Sequence, residues 1–255
     1  MRIAAPSITS RKLSLALAVP LSLALAACDS GGETTAGTVE AQPVANVAPP
    51  AGQQWTDVVA ATPEGGFLMG NPDAPIRLVE YASLTCPACA QFSQTAGQPL
   101  KEQYVNSGRV SFELRNQIHG PHDLALARLV RCGPEGSAIA LSDQVFANQQ
   151  AVLQPVFGNQ AAFEQALQLP EDQRFVRAAE AADFYDFFAA RGLSEEQARQ
   201  CLADFASLET IANNSQTQSD ELGIEGTPTF LINGNNVGSL TWAQLEPMLQ
   251  RAGAR

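Results

Sequence analysis

Cys86-Pro87-Ala88-Cys89 stands between a segment that reads as a β-strand and one that reads as an α-helix, and this placement constrains the fold more than any other feature. Ile76-Arg77-Leu78-Val79-Glu80-Tyr81-Ala82 has the β-branched and aromatic content of a strand. Pro87 suits the first turn of a helix, where its missing N–H has no partner to lose. A CxxC spacing alone serves zinc as well as redox chemistry. At a helix start, however, free N–H groups and the positive end of the dipole stabilise a thiolate. Thiolate is the species that attacks disulfides, and such a setting lowers a thiol pKa from ~8.5 to between ~3.5 and 7.5. Cys86, the more exposed of the pair, is therefore the expected nucleophile. Cys89, one turn inside, is expected to resolve the mixed disulfide.

The rest of the pattern supports an α/β chain. Gly66 to Gly70 reads as a short edge strand, followed by the turn Asn71-Pro72-Asp73-Ala74-Pro75. The helix from Pro87 is expected to reach about Ser107, with a kink at Pro99, before the alternating strand Val110 to Leu114. From Pro121 to about Leu222 the pattern is helical almost throughout. Gly192 can end one helix in the left-handed conformation, Ser194 with Gln197 forms a capping box for the next, and Gly223 closes the block. Thr229-Phe230-Leu231-Ile232 returns to strand, Asn233-Gly234 signals a hairpin, and Thr241 with Gln244 caps a last helix. Strand–helix–strand followed by hairpin–helix is a thioredoxin-like arrangement, here with a helical insertion at about 121–222 between its two halves.

A second signal lies far from the first. In Gly226-Thr227-Pro228-Thr229-Phe230 a proline directly precedes a strand, which marks a candidate cis peptide bond. Alone it could be an ordinary turn. In this fold such a loop faces the CxxC, and its backbone can pair with an extended substrate peptide.

From about Phe67 to its end the chain resembles the DsbA-like thioredoxin family of periplasmic dithiol oxidases. The resemblance rests on the strand into Cys86-Pro87-Ala88-Cys89, the long helical block and Gly226-Thr227-Pro228-Thr229-Phe230. It implies an attacking Cys86, a resolving Cys89 and a cis Pro228, with Thr227, Pro87 and Ala88 against the substrate. It implies disulfide exchange with exported proteins, a membrane redox partner that resets the cysteines, and no cofactor. Glu80 falls where the family often carries an acidic residue under the site, able to shuttle a proton to a buried thiol. From pattern alone it could equally be a surface glutamate. Strongly oxidising members carry a histidine where this chain has Ala88. Losing that cation raises the thiol pKa and makes a milder oxidant, so a reductase stands beside the oxidase as an alternative.

The ends and composition set the compartment. Arg2, Arg11 and Lys12 precede an apolar stretch from Leu13 to Ala27 that is short for a spanning helix and resembles an export signal. Leu25-Ala26-Ala27-Cys28 resembles a lipobox, making 1–27 a signal peptide and Cys28 the lipid acceptor. Asp29 after it resembles an inner-membrane retention signal. Residues 28–54, rich in Gly, Thr, Ala, Pro and Gln, are expected to form a flexible tether and 55–255 the folded domain. The net charge of −11, from 15 Lys+Arg against 26 Asp+Glu, disfavours nucleic acid as a partner. The expected protein is a periplasmic monomer that touches a membrane only through its anchor.

Of the five cysteines, Cys132 and Cys201 remain once lipid and CxxC are assigned. Both sit on apolar helical faces, as buried thiols or as a bridge between two helices. Resemblance to alphaproteobacterial relatives implies the bridge, worth roughly 4–5 kcal/mol in the chain-entropy view. His119 and His122 flank Gly120-Pro121, a spacing unlike a ligand pair, so no metal site is expected. Copper or zinc held by Cys86 and Cys89 is the alternative from another functional class. Phe175, Phe184, Tyr185, Phe187 and Phe188 read as helix core rather than a peptide groove.

Overall fold

A computed structural model of the chain describes residues 40–255. The expected signal peptide, Cys28 and the first part of the expected tether lie outside the described residues. Six strands form one sheet in the order β1-β2-β4-β3-β5-β6. They are β1 (Val59–Ala61), β2 (Phe67–Met69), β3 (Ile76–Ala82), β4 (Val110–Asn116), β5 (Thr229–Ile232) and β6 (Asn235–Gly238). β3 and β4 run parallel, as a strand–helix–strand unit requires, while β5 lies antiparallel to β3. The segment expected at the edge is instead an inner strand. β2 pairs with β4 on one side and with β1 on the other. β1 is only three residues long, two of them alanine, too short to register as a strand in the sequence.

Between β3 and β4 the chain forms α1 (Pro87–Pro99), which continues as a wider π-helical turn over Leu100–Val105. Pro99 has no N–H to give to the preceding turn, and the helix accommodates it by widening rather than by stopping. Cys89, Ala90, Phe92 and Ala96 form the buried face of α1. Phe92 meets Phe230 of β5 at a ring separation of 4.5 Å, locking the helix onto the sheet.

The insertion comprises eight helices: α2 (Pro121–Leu129), α3 (Ala138–Ala147), α4 (Gln149–Gly158), α5 (Gln160–Ala166), α6 (Glu171–Ala181), α7 (Phe184–Ala189), α8 (Glu195–Ala203) and α9 (Phe205–Leu222). Phe175, Phe184, Tyr185 and Phe188 are buried in its core. Cys132 and Cys201 are bridged, with Cα atoms 5.9 Å apart, tying the end of α2 to α8. The Ser194–Gln197 capping box opens α8. After the β5–β6 hairpin, α10 (Trp242–Arg251) completes the second half.

The tether expectation needs correction in its last part. Residues 40–54 run along the folded domain as a strap. Ala41 and Val44 donate backbone hydrogen bonds to Arg251 and Gly253, and Val47 donates to Ser107, each at 2.9 Å. Glu40 pairs with Arg255, and the Trp55 indole donates to the Val47 carbonyl at 2.8 Å. Gly108, at φ +72°, is needed at this crossing: a Cβ there would lie 2.5 Å from the Val47 oxygen.

Candidate redox site

β3 ends at Ala82, and the short loop Ser83–Thr85 carries the chain to Cys86, which caps the N-terminus of α1 with extended φ and ψ. The loop is held from two sides. The Asp123 carboxylate, fully buried at the start of α2, accepts from Leu84 N–H and from His119 N–H, both at 2.9 Å. The Gln149 amide donates to the carbonyls of Leu84 at 2.9 Å and Cys86 at 3.0 Å. Burial pushes the Asp123 carboxyl up to about 6, against the pull of its hydrogen bonds from His119, Ser83 and Leu84.

Antiparallel pairing of β3 with β5 sets Tyr81 opposite Thr229. One residue earlier, the Thr227–Pro228 peptide bond is cis. The register thus delivers the loop before β5 to the end of β3, where the Cys86 thiol lies 3.3 Å from the Thr227 carbonyl oxygen. Thr227 Oγ1 lies 3.3 Å from His119 Nε2 on the other side.

Cys86 and Cys89 are both free thiols and differ sharply in environment. Cys86 is half-buried and Cys89 fully buried. The Cys86 thiol is pulled down to about 5, first by hydrogen bonding with Cys89, then by Thr227 and the N–H groups of Cys89 and Ala88, against the effect of burial. Cys89 is pushed far above its ordinary range by that same bond, by burial and by the charge of Glu80. One cysteine is therefore the thiolate and its neighbour the thiol.

Glu80 is 3% exposed, so it is not a surface residue. It shares a face of β3 with Leu78 and Ala82, beneath α1, and is flanked in register by Leu114 and Phe230. Its Oε1 has no hydrogen-bond partner among the described residues. Burial, then the charges of Asp143 and Cys86, push its carboxyl up to about 8.

The structure thus gathers Cys86, Pro87, Ala88, Cys89, Glu80, Thr227 and Pro228 at one end of the sheet. Cys132 and Cys201 lie apart, within the insertion. The histidines diverge: His119 turns to Thr227, while His122 packs edge-on to Phe157 and Phe163 at 6.5 and 6.3 Å. Among the described residues no group of three or more His, Cys, Asp or Glu is placed to hold a metal. Sequence reasoning missed Asp123 and Gln149. The acidic residue in the first turn after Gly120-Pro121 was the only available hint of the first, and the second left none.

Fold and site together define a thioredoxin-like dithiol protein with an inserted helical layer. The chain belongs to the thioredoxin family, whose profile matches residues 62–251. It is similar to a protein-disulfide isomerase from Novosphingobium aromaticivorans, at 30% identity and a TM-score of 0.68 over 72% of this chain and 95% of that one. It also shares its fold with Wolbachia pipientis alpha-DsbA1, at 21% identity and a TM-score of 0.59 over 73% of this chain and 89% of that one. A Rickettsia bellii protein provisionally named a protein-disulfide oxidoreductase is 26% identical over 171 residues, 67% of this chain and 58% of that protein. The chain thus spans about three fifths of the length of the curated relatives it matches.

Proposed function

We propose that the protein is an extracytoplasmic thiol-disulfide oxidoreductase that delivers disulfides to exported proteins through Cys86 and Cys89. The inequality of the two thiols carries this reading. A dithiol form stabilised by a low Cys86 pKa makes the corresponding disulfide a better oxidant. Hydrogen bonds from the helix start and from Thr227 supply that stabilisation without a histidine at position 88. The relatives' names and the isomerase-like fold support the reaction class.

In the forward direction a substrate thiolate attacks Cys86 Sγ of the Cys86–Cys89 disulfide, forming a mixed disulfide, and Cys89 Sγ leaves with the bonding electron pair. Glu80, kept neutral by burial at neutral pH, gives Cys89 its proton. A second substrate thiolate attacks the substrate sulfur of the mixed disulfide, and Cys86 leaves as thiolate. The substrate has lost two electrons and the enzyme cysteines have gained them. Thr227 and cis Pro228 present backbone to the extended substrate. An apolar groove of about 450 Å³ lined by Ala88, Phe92, Pro228, Leu240 and Trp242 receives its side chains. A signal peptide over residues 1–27 would direct export and be removed, and a lipid on Cys28 would then hold the domain, as a monomer, at the periplasmic face of a membrane, the inner one by Asp29. There a membrane partner would reoxidise the pair. No helix among the described residues is long and apolar enough to cross a membrane.

The test is the redox equilibrium of the pair against glutathione, with Cys86→Ser as control. A potential above about −180 mV supports disulfide delivery, and one below about −250 mV assigns a reductase instead. Bound metal without thiol exchange would sink the oxidoreductase reading.

A further inference from the structure

The last two residues of β4, the C-terminal end of α2, the middle of α9, and Glu64 with Gly65 border a cavity of about 230 Å³. Three guanidinium groups line it: Arg115, Arg128 and Arg131. That concentration is unusual in a chain with a net charge of −11. Two of the three are neutralised locally. Arg115 is gripped by Glu113 at 2.7 Å, with Glu64 3.7 Å away, and Arg128 pairs with Asp204 at 3.2 Å.

Arg131 is different. Its Nη1 donates to Asn116 Oδ1 at 2.6 Å and to the Ala127 carbonyl at 2.7 Å, and its Nη2 donates to the Gly65 carbonyl at 2.9 Å. All three acceptors are neutral. Among the described residues no carboxylate forms an ion pair with it. A guanidinium has five N–H donors, so two remain unused. Burial and the like charge of Arg128 pull its pKa down to about 10, leaving it a full cation at neutral pH without a counter-ion. The guanidinium is half-buried, its carbon 5.2 Å from the centre of the Phe67 ring, and it keeps its charge available to an anion.

Beside Arg131 lies a second polar group without a partner. Asn116, nine-tenths buried, lines the cavity, and its Nδ2 has no hydrogen-bond partner among the described residues although its Oδ1 is taken by Arg131. Asn214 of α9 reaches the cavity wall opposite, against Gly65, where a Cβ would lie 2.8 Å from the Asn214 amide nitrogen. Gly65, at φ +81°, thus leaves the space open and gives its carbonyl to Arg131. The cavity thus brings the unused donors of Arg131 together with the Asn214 side chain and two paired arginines, with Glu64 at the rim.

We propose that this cavity is a binding site for one tetrahedral oxyanion of phosphate or sulfate size, held by Arg131 with Asn214 and the rim arginines around it. The volume lies below the ~300–1,000 Å³ of organic-ligand pockets, which limits the occupant to a small ion. Such an ion ties the insertion to the sheet, through α2 and β4, at a point remote from Cys86. The site is independent of the disulfide-exchange reading.

The experiment is thermal melting of the protein in sodium phosphate against sodium chloride at matched pH and ionic strength. The expected result is a rise in Tm that saturates at millimolar phosphate and weakens at least tenfold in apparent affinity in Arg131→Gln. Asn116→Asp is the second variant. It is nearly isosteric and places a carboxylate beside Arg131, so it is expected to fold and to have lost the phosphate response. Inorganic phosphate titrated into the wild type and followed by calorimetry reads the same binding without melting. A Tm that does not rise, or that rises without saturation and equally in wild type and variants as a general salt effect does, would overturn the site.

Discussion

The Cys86 thiol lies 3.3 Å from the Thr227 carbonyl oxygen although 141 residues separate the two. The approach is set by the β3–β5 register rather than by anything local to the CxxC turn. The Cys86 pKa therefore depends on both halves of the fold. Alkylation of the reduced protein by iodoacetamide is expected to titrate near pH 5, as a single thiol, with Cys89 silent. Because the folded pKa lies below the unfolded one, this thiolate stabilises the dithiol form above the ordinary thiol pKa, and the contribution is lost as pH falls through about 5. Denaturant melts of the dithiol and disulfide forms should diverge as pH rises across that window. An inflection near pH 8.5 would refute the assignment.

Glu80 has the opposite sign. Its folded pKa of about 8 exceeds the ordinary 4.5, so between those values the folded state holds a proton that the unfolded state has released. Stability contributed by this group is fully present below about pH 4.5 and declines as pH rises through about 8. Glu80→Gln keeps a neutral side chain and is expected to stabilise the protein at pH 8, by on the order of 2–4 kcal/mol. Its exchange with glutathione disulfide should slow at the step that needs the Cys89 proton. A variant with unchanged stability across pH 5–8 would place Glu80 in contact with solvent.

Much of this site was legible in the sequence because it follows periods. The β-branched and aromatic content of Ile76 to Ala82 marks the strand and the proline at position 87 fixes where the helix begins, whereas pattern alone left Glu80 open between site and surface. The hairpin, the capping boxes and the helical block are local signals of the same kind. Asp123 and Gln149 leave no such trace. Apart from His119, four residues before Asp123, their partners are backbone groups 39 and 63 to 65 residues away, and a single side-chain-to-backbone bond has no period. The strap escaped for a related reason. Its composition lacks the apolar residues that advertise burial, and it is held by main-chain bonds that any sequence can make.

Asp123→Ala removes the acceptor of two buried N–H groups at once. Leaving a buried donor unmade costs about 1–3 kcal/mol each. The variant is expected to lose about 2–4 kcal/mol of stability and to loosen the Ser83–Thr85 loop, raising the rate of amide exchange at Leu84 and His119. If the loss falls below ~1 kcal/mol, the Gln149 bonds suffice to hold the loop.

The Cys132–Cys201 bridge closes a loop with a sequence separation of 69 and touches none of the redox residues. Replacing both by alanine is expected to cost about 4 kcal/mol by the chain-entropy relation. The potential of the Cys86–Cys89 pair should be unchanged. A shifted potential would mean that the insertion transmits strain to the site.

The strap can be tested through a glycine whose added Cβ would meet strap atoms first. At Gly253, φ is +112°, and a Cβ would lie 2.8 Å from the Gln42 oxygen and 3.0 Å from Val44 Cγ2, both strap atoms. Gly253→Ala therefore carries two penalties in a chain that includes residues 40–54: backbone strain and collision with the strap. In a chain begun at Trp55 only the strain remains. The substitution should cost about 1 kcal/mol more in the longer chain, a coupling within the range for residues in direct contact. Equal costs in the two backgrounds would mean that Gln42 and Val44 do not sit against the C-terminus in solution. The segment would then be the free tether that its composition suggests.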